Sequence, residues 1–168
     1  MDKELEIKIL EDLKKNKWGG YILFDGEINQ ALELIEKLQN NSEIPLFISA
    51  DLERGAGQHF KGATSFVYNM GIGESGNLDN AFKSGKITAE ECSQIGINMI
   101  YSPILDINNN YKNPIINIRS YGDNPETVTD MGEAFINGSY SYDVLPVAKH
   151  SPGHGDTDKD SHLELPVL

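Results

Sequence analysis

The segment KHSPGHGDTDKDSH, Lys149 to His162, gathers three of the chain's four histidines and three aspartates into fourteen positions. Pro152, Gly153 and Gly155 keep it from forming a helix. Side chains of these types either hold a metal or move a proton, and their spacing separates the two. Asp156, Asp158 and Asp160 occupy the first, third and fifth places of a calcium-loop pattern. Ser161 then stands sixth, where the turn needs Gly, and Val167 twelfth, where a bidentate Glu is required. His150 and His154 are separated by Pro152 and Gly153, which denies them a shared helix face, and a zinc site lacks a third clear ligand. Neither a metal nor a cofactor is expected.

Acid–base work fits better. Histidine gives and takes a proton near neutral pH more readily than any other side chain. Asp160 stands two residues before His162, close enough in a turn for its carboxylate to accept a hydrogen bond from one ring nitrogen. That contact would fix the tautomer and raise the basicity of the other nitrogen. A solvated polar loop would account for Asp-Ser-His taken alone, so the rest of the chain has to decide.

The elements that must position this loop alternate. Leu5, Ile9, Leu10 and Leu13 recur at helical spacing over 3–16, and Gly19-Gly20 end that helix. YILF (21–24) reads as a buried strand, and 29–41 as an amphipathic helix with Ala31, Leu34, Ile35 and Leu38 on one face. LFISAD (46–51) is a second strand, leading into the Gly-rich LERGAGQHFKGAT. A helix over 77–96, a strand over 98–107, a polar loop, a helix opened by Asn124-Pro125 and a last strand over 144–150 complete the pattern. Strands of this continuous apolar kind, alternating with helices, imply a parallel α/β sheet, doubly wound or barrel. Asp51 and Glu53 follow the second strand, Asp106 ends the third, and Lys149-His150 end the fourth. Charges at successive strand C-termini favour a barrel. No G-x-G-x-x-G leads from a strand into a helix and there is no G-K-[ST], so the usual sign of nucleotide phosphate binding is missing.

Composition narrows the partners. At 168 residues, with 39% hydrophobic and 24% charged residues, the chain reads as one globular domain over 1–168. Its net charge of −12 repels phosphate backbones, so no nucleic-acid partner is expected. No stretch approaches a membrane span, and the opening MDKELEIKILEDLKKNKWGG lacks an apolar signal region, so the chain as written is expected to be cytoplasmic. The lone Cys92, within the helical TAEECSQIG, reads as a small core residue.

AKHSPGHGDTDKDSH closely resembles the segment K-H-F-P-G-H-G-x-x-x-x-D-S-H of glycoside hydrolase family 3, in its β-N-acetylhexosaminidase branch. GGYILF, PLFISADLERGAG, GATSF, GKITAEECSQIGIN, SPILDIN and NPIINIRSYGDNPETV follow the family's order, so the likeness spans 18–168. The resemblance implies a (β/α)8 barrel, of which this chain carries strands two to five, and retaining hydrolysis of terminal β-N-acetylglucosaminides from peptidoglycan or chitin. It implies His162 as general acid/base and Asp160 as its dyad partner. Lys149, His150, Arg119 and Asp51 are implied as substrate contacts. Using a histidine departs from the usual two-carboxylate plan of glycosidases. The related β-glucosidases lack D-S-H, so its presence points to an N-acetylated sugar.

Three departures accompany the likeness. Ser151 replaces the usual Phe. His59 stands where many members have an arginine, leaving Arg54 and His59 as candidates for that contact. The family's nucleophile is an aspartate on a later strand, so the chain reads as a fragment, inactive or nearly so alone, with open sheet edges through which copies could associate. A nucleophile from within these residues would have to be a carboxylate such as Asp106. The competing readings are a β-glucosidase-type hydrolase, a non-catalytic carbohydrate-binding fragment, and a phosphate- or metal-dependent hydrolase.

Overall fold

The apolar spacing becomes helices where the sequence places them. The computed structural model describes residues 3–163. In chain order these form α1 (Lys3–Asn16), β1 (Gly20–Leu23), β2 (Gly26–Glu27), α2 (Ile28–Asn40), β3 (Phe47–Ala50), β4 (Phe60–Lys61), α3 (Asn69–Glu74), α4 (Leu78–Ile95), β5 (Met99–Ile100), α5 (Pro125–Ser139) and β6 (Leu145–Pro146). Side-chain caps start the two longest helices: Asn77 accepts from the Asp79 N–H at 3.1 Å, and Asn124 from the Thr127 N–H at 2.9 Å. Gly96 ends α4 in the left-handed region, at φ 86°, which costs glycine little.

Four strands pair in parallel in the order β1-β3-β5-β6, with α2, α4 and α5 as the crossovers. The register sets Tyr21 beside Ile48 and Leu23 beside Ala50, and Ala50 beside Ile100. That face meets the helices: Ile48, Ala50 and Ile100 are fully buried against Ile35, Leu38, Cys92, Ile95 and Phe135. Cys92 is a core residue, its thiol pushed up to about 12 by burial and the nearby Glu91 charge. On the opposite face Ile22, Phe47 and Leu145 stay 44%, 56% and 42% exposed. A doubly wound sheet would carry helices on both faces. One covered face is the geometry of a barrel arc, whose bare side is the one a closed barrel turns inward.

The strands are shorter than their apolar runs. The run over 98–107 pairs as a ladder only at Met99–Ile100, because Pro103 has no N–H to donate. Contact resumes as a single bridge between Ile104 and Lys149, where the Lys149 N–H donates to Pro103 O at 3.0 Å. A second small parallel pair, β2 with β4, was not legible in the sequence. Among the described helices none is long and apolar enough to cross a membrane.

Candidate active site

Just past β3 the chain enters the Asp51-Leu52-Glu53 turn. Leu52 is fully buried, and its carbonyl accepts from the Ser102 hydroxyl at 2.7 Å, pinning the turn to the segment after β5. Glu53 is thereby held facing Arg119, which rides on the short 3₁₀ turn Asn117–Arg119. The guanidinium donates to both Glu53 oxygens, Nε at 2.9 Å and Nη2 at 2.7 Å, and through Nη1 to the Ile115 carbonyl at 3.0 Å. Its backbone is anchored by Asn69 Nδ2, 2.8 Å from Arg119 O. Lys149, at the C-terminal end of the β6 segment, bridges Glu53 at 2.8 Å and Asp51. Asp51, Lys149, Glu53 and Arg119 thus form one continuous charge chain that joins the ends of β3 and β6 to the Asn117–Arg119 turn.

Burial pushes the Glu53 carboxyl up, but hydrogen bonds from Arg119 and Lys149, with their charges, outweigh it and hold the group below its usual range. Arg119 is stabilised in its charged form chiefly by the Glu53 bond.

The second half of the site hangs from Asp106, whose side chain is 0% exposed. One carboxylate oxygen, Oδ2, accepts from the His150 backbone N–H at 3.0 Å and from the His150 ring Nδ1 at 2.6 Å. The other, Oδ1, accepts from the His154 N–H at 2.6 Å. Burial raises the Asp106 carboxyl, and these bonds more than reverse it, leaving it below the usual range. The His loop is pressed onto the preceding loop: a Cβ at Gly155 would lie 1.8 Å from Ile107 O. Asn113, also buried, donates to His154 O at 2.6 Å and accepts from the Ile115 and Ile116 N–H groups. His154 is buried, with Nδ1 2.7 Å from Thr157 Oγ1 and no partner for Nε2 among the described residues. A cleft of about 550 Å³ is lined by Asp106, Lys149, His150, Pro152 and Asp156 among others. At the opposite end of the strands a cleft of about 420 Å³ is lined by Trp18, Ile44 and Phe47. Among the described residues the only ion pair lining it is the exposed Lys17–Glu43, at 3.1 Å, so the convergent polar chemistry described sits at the C-terminal ends.

Asp160 and His162 pair locally, as their spacing suggests. Asp160 Oδ1 accepts from the His162 backbone N–H at 2.8 Å and from its ring Nδ1 at 2.7 Å, in a turn closed by the Leu163 N–H on Asp160 O. Those two His162 contacts lower the Asp160 carboxyl against a smaller desolvation effect. The His162 side chain is 78% exposed. Among the described residues no hydrogen bond joins this pair to the Asp51–Arg119 chain.

The structure therefore brings Asp51, Arg119, Lys149 and His150 to one end of the sheet and sets Asp160–His162 apart on an exposed turn. The sequence reading gave Glu53 no role in the site and considered Asp106 only as a nucleophile from within these residues. Their signal was present: both are acidic residues at strand C-termini. Both oxygens of Asp106 are occupied and its side chain is buried, so it is not placed to attack a sugar as a nucleophile. Arg54 lies 4.3 Å over the Tyr68 ring and His59 packs edge-on against Phe24, with ring centroids 6.1 Å apart. Among the described residues neither is hydrogen-bonded into the charge chain. No group of three His, Cys, Asp or Glu side chains among those residues could hold a metal ion.

Residues 3–168 match the glycosyl hydrolase family 3 N-terminal domain. The chain belongs to that family. This family 3 chain is 38% identical to beta-hexosaminidase A of Pseudoalteromonas piscicida over 162 residues, covering 88% of this chain and 27% of that protein. It is 34% identical to a beta-N-acetylglucosaminidase/beta-glucosidase of Cellulomonas fimi, over 86% of this chain and 26% of the relative. In three dimensions it superposes with TM-score 0.89 and 36% identity on a family 3 beta-N-acetylglucosaminidase from Paenibacillus sp. str. FPU-7, covering 95% of this chain and 32% of the other. The family 3 chain is thus a partial barrel, about a quarter to a third the length of these relatives.

Proposed function

We propose that this chain contributes the sugar-holding and acid/base parts of a retaining glycoside hydrolase acting on terminal β-N-acetylglucosaminides, such as those from peptidoglycan or chitin. The observation that carries the reading is the Asp160–His162 pair, 2.7 Å between carboxylate oxygen and Nδ1. An ionised carboxylate only accepts, so Nδ1 keeps a proton throughout. In the doubly protonated ring Nε2–H gives its proton to the leaving glycosidic oxygen, and the neutral ring left behind takes one back at Nε2 from the attacking water. Lys149, Arg119 and Asp51 supply donors and an acceptor for sugar hydroxyls, and His150 adds a ring nitrogen beside them. The beta-hexosaminidase and beta-N-acetylglucosaminidase names of the relatives support the substrate class.

The nucleophile comes from outside the described residues in this reading. Asp51, Glu53 and Asp106 are each engaged by a cation or by N–H groups. The isolated chain is accordingly inactive or nearly so. A second reading, sugar binding without turnover, draws on the same occupancy of the carboxylates.

The deciding experiment is hydrolysis of a chromogenic N-acetyl-β-glucosaminide beside the matching β-glucoside, with a His162→Ala control. Turnover of the N-acetylated substrate that vanishes in the control supports acid/base catalysis by His162 and overturns the isolated chain's inactivity. Hydrolysis of the β-glucoside alone would instead favour a β-glucosidase-type enzyme. Sugar binding without turnover, unchanged in His162→Ala, would favour the binding reading.

A further inference from the structure

We propose that Asp106 is a positioning residue that sets the tautomer of His150 and anchors the loop carrying it, so that the His150 ring meets a ligand with Nε2 as a hydrogen-bond acceptor. The reasoning starts from one fully buried carboxylate serving three donors on two residues: the N–H and ring Nδ1 of His150, and the N–H of His154. A carboxylate has no proton to give, so the 2.6 Å contact to Nδ1 requires the proton to sit on the histidine. Neutral imidazole carries one proton. With Nδ1 committed, Nε2 is the acceptor. Free imidazole prefers no such fixed assignment, so the protein has imposed it. The same logic operates when an aspartate orients a catalytic histidine.

The consequence at the cleft is a division of labour between neighbours. Lys149 offers only donors, and Asp51 only acceptors. The half-buried His150, whose Nε2 has no hydrogen-bond partner among the described residues, accepts from a hydroxyl that donates, a polarity the ammonium of Lys149 cannot supply. This part rests on the carbohydrate reading above; the tautomer itself does not.

The test is long-range ¹H–¹⁵N correlation of the histidine rings in the ¹⁵N-labelled chain above the pH at which they titrate, with His150→Gln to assign the signal. The expected result is the Nδ1–H form of His150. A predominantly Nε2–H form overturns the proposal, and this readout needs no variant at position 106. Asp106→Asn sharpens it, because an amide has a single acceptor oxygen and cannot serve both sides. The variant is expected to lose either the His150 tautomer preference or the hydrogen-exchange protection of the His154 amide, with the His162 signals unchanged. Retention of both overturns the proposal. Adding methyl β-N-acetylglucosaminide separates the two ideas. A fixed Nδ1–H tautomer whose Nε2 signal ignores the sugar upholds the role of Asp106 and counts against the carbohydrate reading.

Discussion

Glu53 and Arg119, 66 positions apart in the chain, face each other through two hydrogen bonds of 2.7 and 2.9 Å. Lys149 closes on the same Glu53 carboxylate at 2.8 Å, so one acidic group separates two cations. Removing it leaves those cations facing each other in a partly buried corner. Glu53→Ala is expected to destabilise the chain by about 3 kcal/mol, the lower end for breaking a buried pair. Urea denaturation of the variant beside the parent checks this. An unchanged midpoint would mean solvent screens the trio fully.

The same carboxylates give stability a pH signature. Glu53 and Asp106 titrate lower in the folded chain than in the unfolded one. Their contribution is fully present above the unfolded carboxylate value, about 4, and is lost as pH falls through the lower folded values. The melting temperature is expected to hold between about pH 7 and 5 and drop steeply below about 4. Glu53→Gln should flatten that drop, and an equally steep fall in the variant would assign it to other groups.

Gly155 controls how closely the His loop lies on the loop before it. A methyl group there would sit 1.8 Å from the Ile107 carbonyl, so one of the two backbones must move. Gly155→Ala is expected to cost about 1–3 kcal/mol, as overpacking does. It should also displace the His154 amide signal, which its 2.6 Å bond to Asp106 otherwise holds in place. Melting and amide spectra of the variant report the two effects separately.

The bare face of the sheet predicts association. Ile22, Phe47 and Leu145 are exposed on one side, and β1 and β6 end the described ladder with one edge each unpaired. Contiguous apolar surface and open edges favour self-pairing. Sedimentation velocity is expected to show a weight-average coefficient rising with concentration, reduced by Phe47→Lys. A constant coefficient over a hundredfold range would remove the expectation.

What could be read directly from the residues was local or periodic. Apolar spacing placed α1, α2 and α4 within a residue or two of their observed ends, and Asn124-Pro125 marked where α5 begins. The Asp160–His162 contact was legible because two residues in one turn reach each other whatever the rest of the chain does. That charges would gather at strand C-termini also followed from the order of elements.

Which charge meets which was decided only by folding. Asp51 and Lys149 are 98 positions apart, and Asp106 and His150 are 44 apart. Their meeting depends on the parallel register and on the bridge from Ile104 to Lys149, neither of which leaves a trace in local spacing. Glu53 and Asp106 were legible as acidic residues at strand C-termini, but only the fold showed that their carboxylates would be buried. Burial makes an unpaired carboxylate costly, so each had to find its cations and N–H groups. The chain's own order determined that strand ends would be charged. The sheet's register decided that Asp106 would hold a histidine loop and Glu53 an arginine, because only non-local packing can bring those donors within hydrogen-bonding distance.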